Sequence, residues 1–139
     1  MKYRFISDLT SDVMFEALGK TEGELLENSA EAIFAVQAKI DQIRPLKTLE
    51  FDFFGEDLRQ TLFHFLNRLL AEAEIAELFL CQFKVELEKL PEGYRGHLTA
   101  KGEPITPEKG GTVVKAVTLY NFKVEETEGG FRATVVCDI

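Results

Sequence analysis

Cysteine is scarce in this 139-residue chain: Cys81 and Cys137 are the only two, far apart and not in a CxxC pair. That excludes a disulfide framework and a cysteine-rich zinc site. The two read as strand thiols in a reducing compartment. Positive charge is also short. Lys and Arg number 16 against 24 Asp and Glu, for a net charge of -8. Such a surface repels phosphate, which argues against direct nucleic-acid binding. The acidity is spread along the chain, with no acidic tail and no basic arm. No apolar run approaches the ~20 residues that span a bilayer. The opening Met1-Lys2-Tyr3-Arg4-Phe5 meets Asp8 and Asp12 before a signal-peptide core could form. Together these absences point to a cytoplasmic protein with no membrane partner. The usual catalytic signatures are missing too: no GxxxxGK[ST], GxGxxG, HExxH or GxSxG, and no EF-hand loop. His64 and His97 lack neighbours that would build a triad or a zinc site. No catalytic residue is assigned, and the chain does not read as an enzyme.

What is present is the patterning of one domain over residues 1–139, long enough to bury a core. Residues 3–6 and 13–18 read as short strands around the polar stretch Ser7–Asp12. Thr21 opens a helix, with Glu24 in position to complete a capping box. At 100° per residue, Leu25, Leu26, Ser29, Ala30, Ala32, Ile33, Val36 and Ile40 share its inner side, and Glu24, Glu27 and Glu31 form a solvated acidic face. Pro45 closes this region. Leu49, Phe51 and Phe53 then alternate with Glu50, Asp52 and Phe54, the period of a half-buried strand. Asp57 caps a second helix, with Gln60 three residues on. Its apolar arc holds Leu58, Leu62, Phe63, Phe65, Leu66, Leu69, Leu70 and Ala73, while His64 and Asn67 project from the opposite side.

Beyond residue 77 the period becomes that of strands. Phe83, Val85 and Leu87 alternate with charged residues, as do Tyr94, Gly96, Leu98 and Ala100 with their neighbours. Residues 102–111 read as a surface loop and 112–119 as a Val-rich run. Phe122 and Val124 begin a hairpin that turns at Glu128-Gly129-Gly130 and returns through Phe131, Ala133, Val135 and Cys137. The order predicts an α+β fold, a mostly antiparallel (mixed) sheet structure covered by two amphipathic helices.

One arrangement invites chemistry. Asp8 and Asp12 flank the first connection, and Asp138 and Ile139 end the last strand. A C-terminal strand in mid-sheet would bring Asp138 and the main-chain carboxylate of Ile139 beside Asp8 and Asp12. Gathered carboxylates repel unless a cation neutralises them, and calcium or magnesium suits oxygen donors. The bland alternative is a solvated strand end.

Six segments together resemble the archease family, the partner proteins of RtcB-type RNA ligases. Asp8-Leu9-Thr10-Ser11-Asp12 resembles its D-H-T-A-D. Gly19, Leu25, Glu27-Asn28-Ser29-Ala30 and Ala32-Ile33-Phe34 resemble its first helix. Leu62–Leu70 resembles its L-x-x-W-L-N-E-L-L. Gly102-Glu103-Pro104 fits its G-E-P turn. Lys115-Ala116-Val117-Thr118 and Val135-Val136-Cys137-Asp138-Ile139 resemble its K-A-x-T and V-x-x-D-[IV]. Leu9, Phe65, Arg68 and Leu119-Tyr120 depart from the family pattern, where His, Trp, Glu and Tyr-His stand.

The resemblance implies a metal site of Asp12, Asp138 and the Ile139 carboxylate, with Asp8 nearby, and a functional role for Lys115. A charged residue on the wet face of a strand is the bland reading of that lysine. The implied cofactor is a divalent cation, calcium before magnesium. The implied activity is to promote GMP attachment to an RtcB-type RNA ligase, and so its multiple turnover in tRNA splicing or RNA repair. Two alternatives stay open: a metal-dependent chaperone of another RNA-modifying enzyme such as a tRNA methyltransferase, and a small metal-dependent hydrolase.

Overall fold

The computed structural model describes residues 1–8 and 12–139, and the backbone alone of Ser7 and Asp8. Seven strands and two helices follow in the order β1 (Tyr3–Asp8), β2 (Asp12–Gly19), α1 (Glu22–Gln37), β3 (Lys47–Gly55), α2 (Leu58–Ala76), β4 (Leu78–Leu90), β5 (Gly93–Pro104), β6 (Ala116–Thr127) and β7 (Gly130–Asp138). The strands form two sheets, ordered β1-β2-β7-β6 and β3-β5-β4. Every pairing between these strands is antiparallel. The expected α+β class holds, and the sheet divides in two. Each helix packs against strands of both sheets. One core results, joining Phe15 and Val135 of the first sheet to Phe51 and Leu98 of the second through Leu26, Ile33, Phe65 and Leu69 of the helices.

Both helix starts form as local chemistry dictates. The Thr21 side chain accepts from the Glu24 N–H at 3.1 Å, and Glu24 reaches back to accept from the Lys20 N–H at 3.2 Å. Asp57 accepts from the Gln60 N–H at 2.8 Å, and the Gln60 side chain accepts from the Glu56 N–H at 2.8 Å. These contacts satisfy amides that a helix cannot satisfy internally. α1 ends at Gln37, so Ile40 lies beyond it, in a short 3-10 turn.

Three expectations are corrected. The acidic face of α1 is not wholly solvated, because Glu27 accepts the Val85 N–H of β4 at 2.8 Å. A carboxylate thereby occupies a donor on the free edge of that sheet, where an open strand edge would otherwise invite pairing. Residues 102–111 are not simply a surface loop: Gly102 and Glu103 are buried, and β5 runs to Pro104. Glu103 accepts from Arg44 Nε at 2.8 Å and Lys109 Nζ at 2.5 Å. Finally, the Val-rich run and the hairpin arm belong to one strand only from Ala116 onward, and that strand is interrupted. Leu119–Phe122 fall between the registered pairs Thr118 with Val136 and Lys123 with Thr134, and Asn121 takes φ 52° there. The extra residues form a bulge.

The two thiols lie in strands, Cys81 half-buried in β4 and Cys137 buried in β7. Burial, with the adjacent Asp138 charge, pushes the Cys137 thiol up to about 12. Among the described residues no helix is long and apolar enough to cross a membrane.

Candidate functional site

β7 lies in mid-sheet between β2 and β6, and this placement brings the distant acids together. Asp12 opens β2 and pairs directly with Asp138 at the end of β7. Directly opposed residues point to the same face with Cβ atoms roughly 4.5–5.5 Å apart. Along β2 the residues alternate in burial, with Val13, Phe15 and Ala17 in the core. Asp12 and Asp138 therefore occupy the outer face. The Ile139 side chain turns the other way and packs against the core. On the far side of Asp138, Ala116 is its partner in β6. The backbone N–H of Lys115 donates to the Asp138 carbonyl at 2.8 Å.

Asp12, Asp138, Ile139 and the Lys115 backbone are thus gathered at one end of the four-stranded sheet. Asp8 pairs with Val13 through the backbone, beside Asp12. Its side chain lies outside the described residues, as do Leu9, Thr10 and Ser11 of the N-terminal motif. Among the described residues no three His, Cys, Asp or Glu side chains form a metal-binding group. The donor chemistry is nonetheless that of a hard cation: two carboxylates directly opposed on a sheet repel, and a shared divalent ion relieves that repulsion.

Lys115 is exposed at the mouth of a cavity of about 570 Å³, whose apolar walls include Leu70, Leu78 and Val114. The segment leading to it is held from the C-terminal end of α1. The Gln37 side chain accepts the Val114 N–H at 3.0 Å, and the Thr112 N–H donates to the Val36 carbonyl at 2.9 Å. Gly111 sits so close to α1 that a Cβ there would lie 2.3 Å from the Val36 carbonyl oxygen, so a larger residue must displace the segment. Asn67, expected on the polar side of α2, instead turns to β6. Its amide accepts the Val117 N–H at 2.9 Å and donates to the Val117 carbonyl at 3.1 Å. Sequence reasoning missed this positioning role; the only signal was an Asn inside the matched helix motif.

His64 is exposed on α2, and His97 stands on the other sheet. His97 Nδ1 lies 2.7 Å from Asp52 Oδ1, and Nε2 lies 3.0 Å from Glu50 Oε1. The two hydrogen bonds raise its pKa above the ordinary histidine value, Asp52 foremost. Neither histidine belongs to the paired-carboxylate strand end.

The fold defines a small α+β protein whose central strands bring Asp12 and Asp138 together at one end of a sheet. Residues 3–139 match the model of the Archease protein family (MTH1598/TM1083). The chain is 34% identical to the archease of Archaeoglobus fulgidus, with the whole of both chains covered. It is 35% identical to that of Methanosarcina mazei, over 99% of this chain and 96% of the other. The solution structure of Methanobacterium thermoautotrophicum protein 1598 superposes with a TM-score of 0.86 at 28% identity, covering 99% of this chain and 98% of that one. An archease of Thermotoga maritima, described as a possible chaperone, shares the fold with a TM-score of 0.64 at 20% identity, covering 98% and 97%. The chain belongs to the archease family.

Proposed function

We propose that this protein is an activating partner of an RtcB-type RNA ligase, promoting transfer of GMP to the ligase's catalytic histidine and hence multiple turnover in tRNA splicing or RNA repair. It catalyses no joining itself and works in the cytoplasm. The observation that carries the reading is the pairing of Asp12 with Asp138, with the Lys115 backbone fastened to the Asp138 carbonyl. Family membership supplies the choice of partner.

In this reading Asp12, Asp138 and the Ile139 carboxylate hold a divalent cation, calcium before magnesium, with Asp8 beside them. When bound, that ion neutralises the clustered carboxylates and offers positive charge at the docking end. Lys115 supplies a second cationic group from the segment just before β6. A partner shifts an equilibrium only through its differential affinity for the two states. The acid end would therefore bind best to the ligase conformation competent for guanylylation. The chain's charge of -8 favours encounter with a basic RNA-binding enzyme without competing for its RNA.

The test is multiple-turnover ligation by the RtcB-type ligase of the same organism, alone, with this protein, and with Asp138→Ala. Stimulation by the native chain only supports role and site together. Stimulation by both keeps the role and removes Asp138 from it. Without stimulation by either, the reading fails, and a tRNA methyltransferase is the next partner to assay.

A further inference from the structure

The carboxylate end carries more than charge. Ten large apolar side chains are exposed among the described residues. Four of them line two cavities at this end. Ile105 and Val113 border the cavity of about 570 Å³ that Lys115 also lines. Phe5 and Ile6 border a second, of about 510 Å³, that includes Val13 and Ile139. Their exposure runs from 44% at Ile6 to 71% at Val113. The wall between the cavities is the extended segment before β6: Thr112 lines the second and Val113 the first. That wall is pinned to α1 by the hydrogen bonds of Thr112 and Val114. Asp138 joins the two sides, because Lys115 bonds its carbonyl and Ile139 follows it in the chain.

We propose that this end is a protein-docking face with two apolar anchor sites, one on each side of the paired carboxylates. The occupant is a partner enzyme whose basic surface presents apolar side chains to these two sites. The inference rests on the reading that the carboxylate end meets an enzyme, and it specifies how the enzyme is gripped. Apolar concavities rimmed by polar groups are the form of protein interfaces, where a few anchored side chains carry most of the affinity. Charge selects the occupant. A second copy of this chain would bring together two molecules of net charge -8 each, which is repulsive. A basic partner meets that net negative charge favourably.

The experiment measures two quantities separately: calorimetric affinity for the RtcB-type ligase of the same organism, and the chain concentration giving half-maximal ligation. The variants are Ile105→Asp with Val113→Asp, Ile6→Asp, and the control Phe54→Asp, which alters an exposed apolar residue on the other sheet. All four positions are exposed, and thermal melts verify the fold. The expected result is about a tenfold or greater rise in Kd and in half-maximal concentration for both cavity variants. Maximal turnover at saturation and the control stay unchanged. Unaltered affinity in both cavity variants overturns the proposal while leaving the proposed function intact. If the native chain binds without changing turnover, the proposed function falls and the variants still decide the docking face. If it does not bind, both fall. Self-association that Val113→Asp abolishes overturns it in favour of a second copy.

Discussion

Asn67 and Val117 exchange two hydrogen bonds between α2 and β6, at 2.9 and 3.1 Å, so one side-chain amide substitutes for a neighbouring strand at the start of β6. Val117 lies two residues from Lys115 and pairs with Cys137, next to Asp138. The helix thus fixes the strand on which the site depends.

Replacing Asn67 by Leu keeps the bulk and leaves a half-buried N–H and carbonyl without this partner. The expected cost is about 1–3 kcal/mol, measured as a lower denaturant midpoint at unchanged slope. Asn67→Asp retains the acceptor but sets a carboxylate oxygen against the Val117 carbonyl, so it does not restore stability.

The position of Asn67 also shows how far the chain's pattern could be read. Thr21, Asp57 and the alternating Phe51 and Phe53 act on near neighbours, and their elements formed as expected. A helical wheel assigns Asn67 to the polar side because it sees one helix; the acceptor and donor it meets arrive fifty residues later. Glu27 was misread for the same reason, its partner Val85 lying on a strand edge the wheel cannot show. Alternation identifies a strand with one buried face but not its neighbours, so the division into two sheets was not legible. Asp12 and Asp138 were identifiable as candidates; only the mid-sheet position of β7 makes them partners.

The facing pair of Asp12 and Asp138 has two opposite signatures. Without divalent ions, Asp12→Asn relieves a like-charge cross-strand contact and raises stability by about 0.2–1 kcal/mol. On the proposed calcium reading, calcium a hundredfold above Kd should stabilise the native chain by about 2.7 kcal/mol, and Asp12→Asn and Asp138→Asn should lose most of that gain. Thermal melts with and without calcium read both effects. A C-terminal extension that converts the Ile139 carboxylate to an amide weakens the calcium response, and an N-terminal extension does not.

His97 sits between Asp52 and Glu50, each placed to accept from its protonated ring. Its pKa is raised in the folded state, so its ion pairing stabilises the fold below the unfolded histidine value and fades as pH rises through the folded one. The group lies on the exposed outer face of its sheet, so the effect on stability is small, but the titration itself is measurable. By NMR, His97 should titrate above the ordinary histidine value. Asp52→Asn should lower the His97 midpoint more than Glu50→Gln, because the Asp52 hydrogen bond is the larger cause.

Glu103 gives the opposite pH dependence. Lys109 and Arg44 hold its carboxyl down to about 2 from an ordinary 4.5, the Lys109 hydrogen bond first. The unfolded chain therefore binds the proton more readily between these values, and stability falls as pH drops from 4.5 toward 2. Lys109 lies in the loop whose residues Ile105, Thr106, Pro107 and Gly110 wall the larger cavity, so protonating Glu103 releases that wall as well as the Arg44 segment. Glu103→Gln should lower stability at neutral pH and flatten its decline across this acid window. Hydrogen exchange should quicken first at Gly110 and Gly111, whose amides are held by the Pro107 and Gln37 carbonyls. If the variant retains the native acid slope, the slope belongs to other carboxylates, and the Glu103 contacts with Arg44 and Lys109 are not what secures the cavity wall.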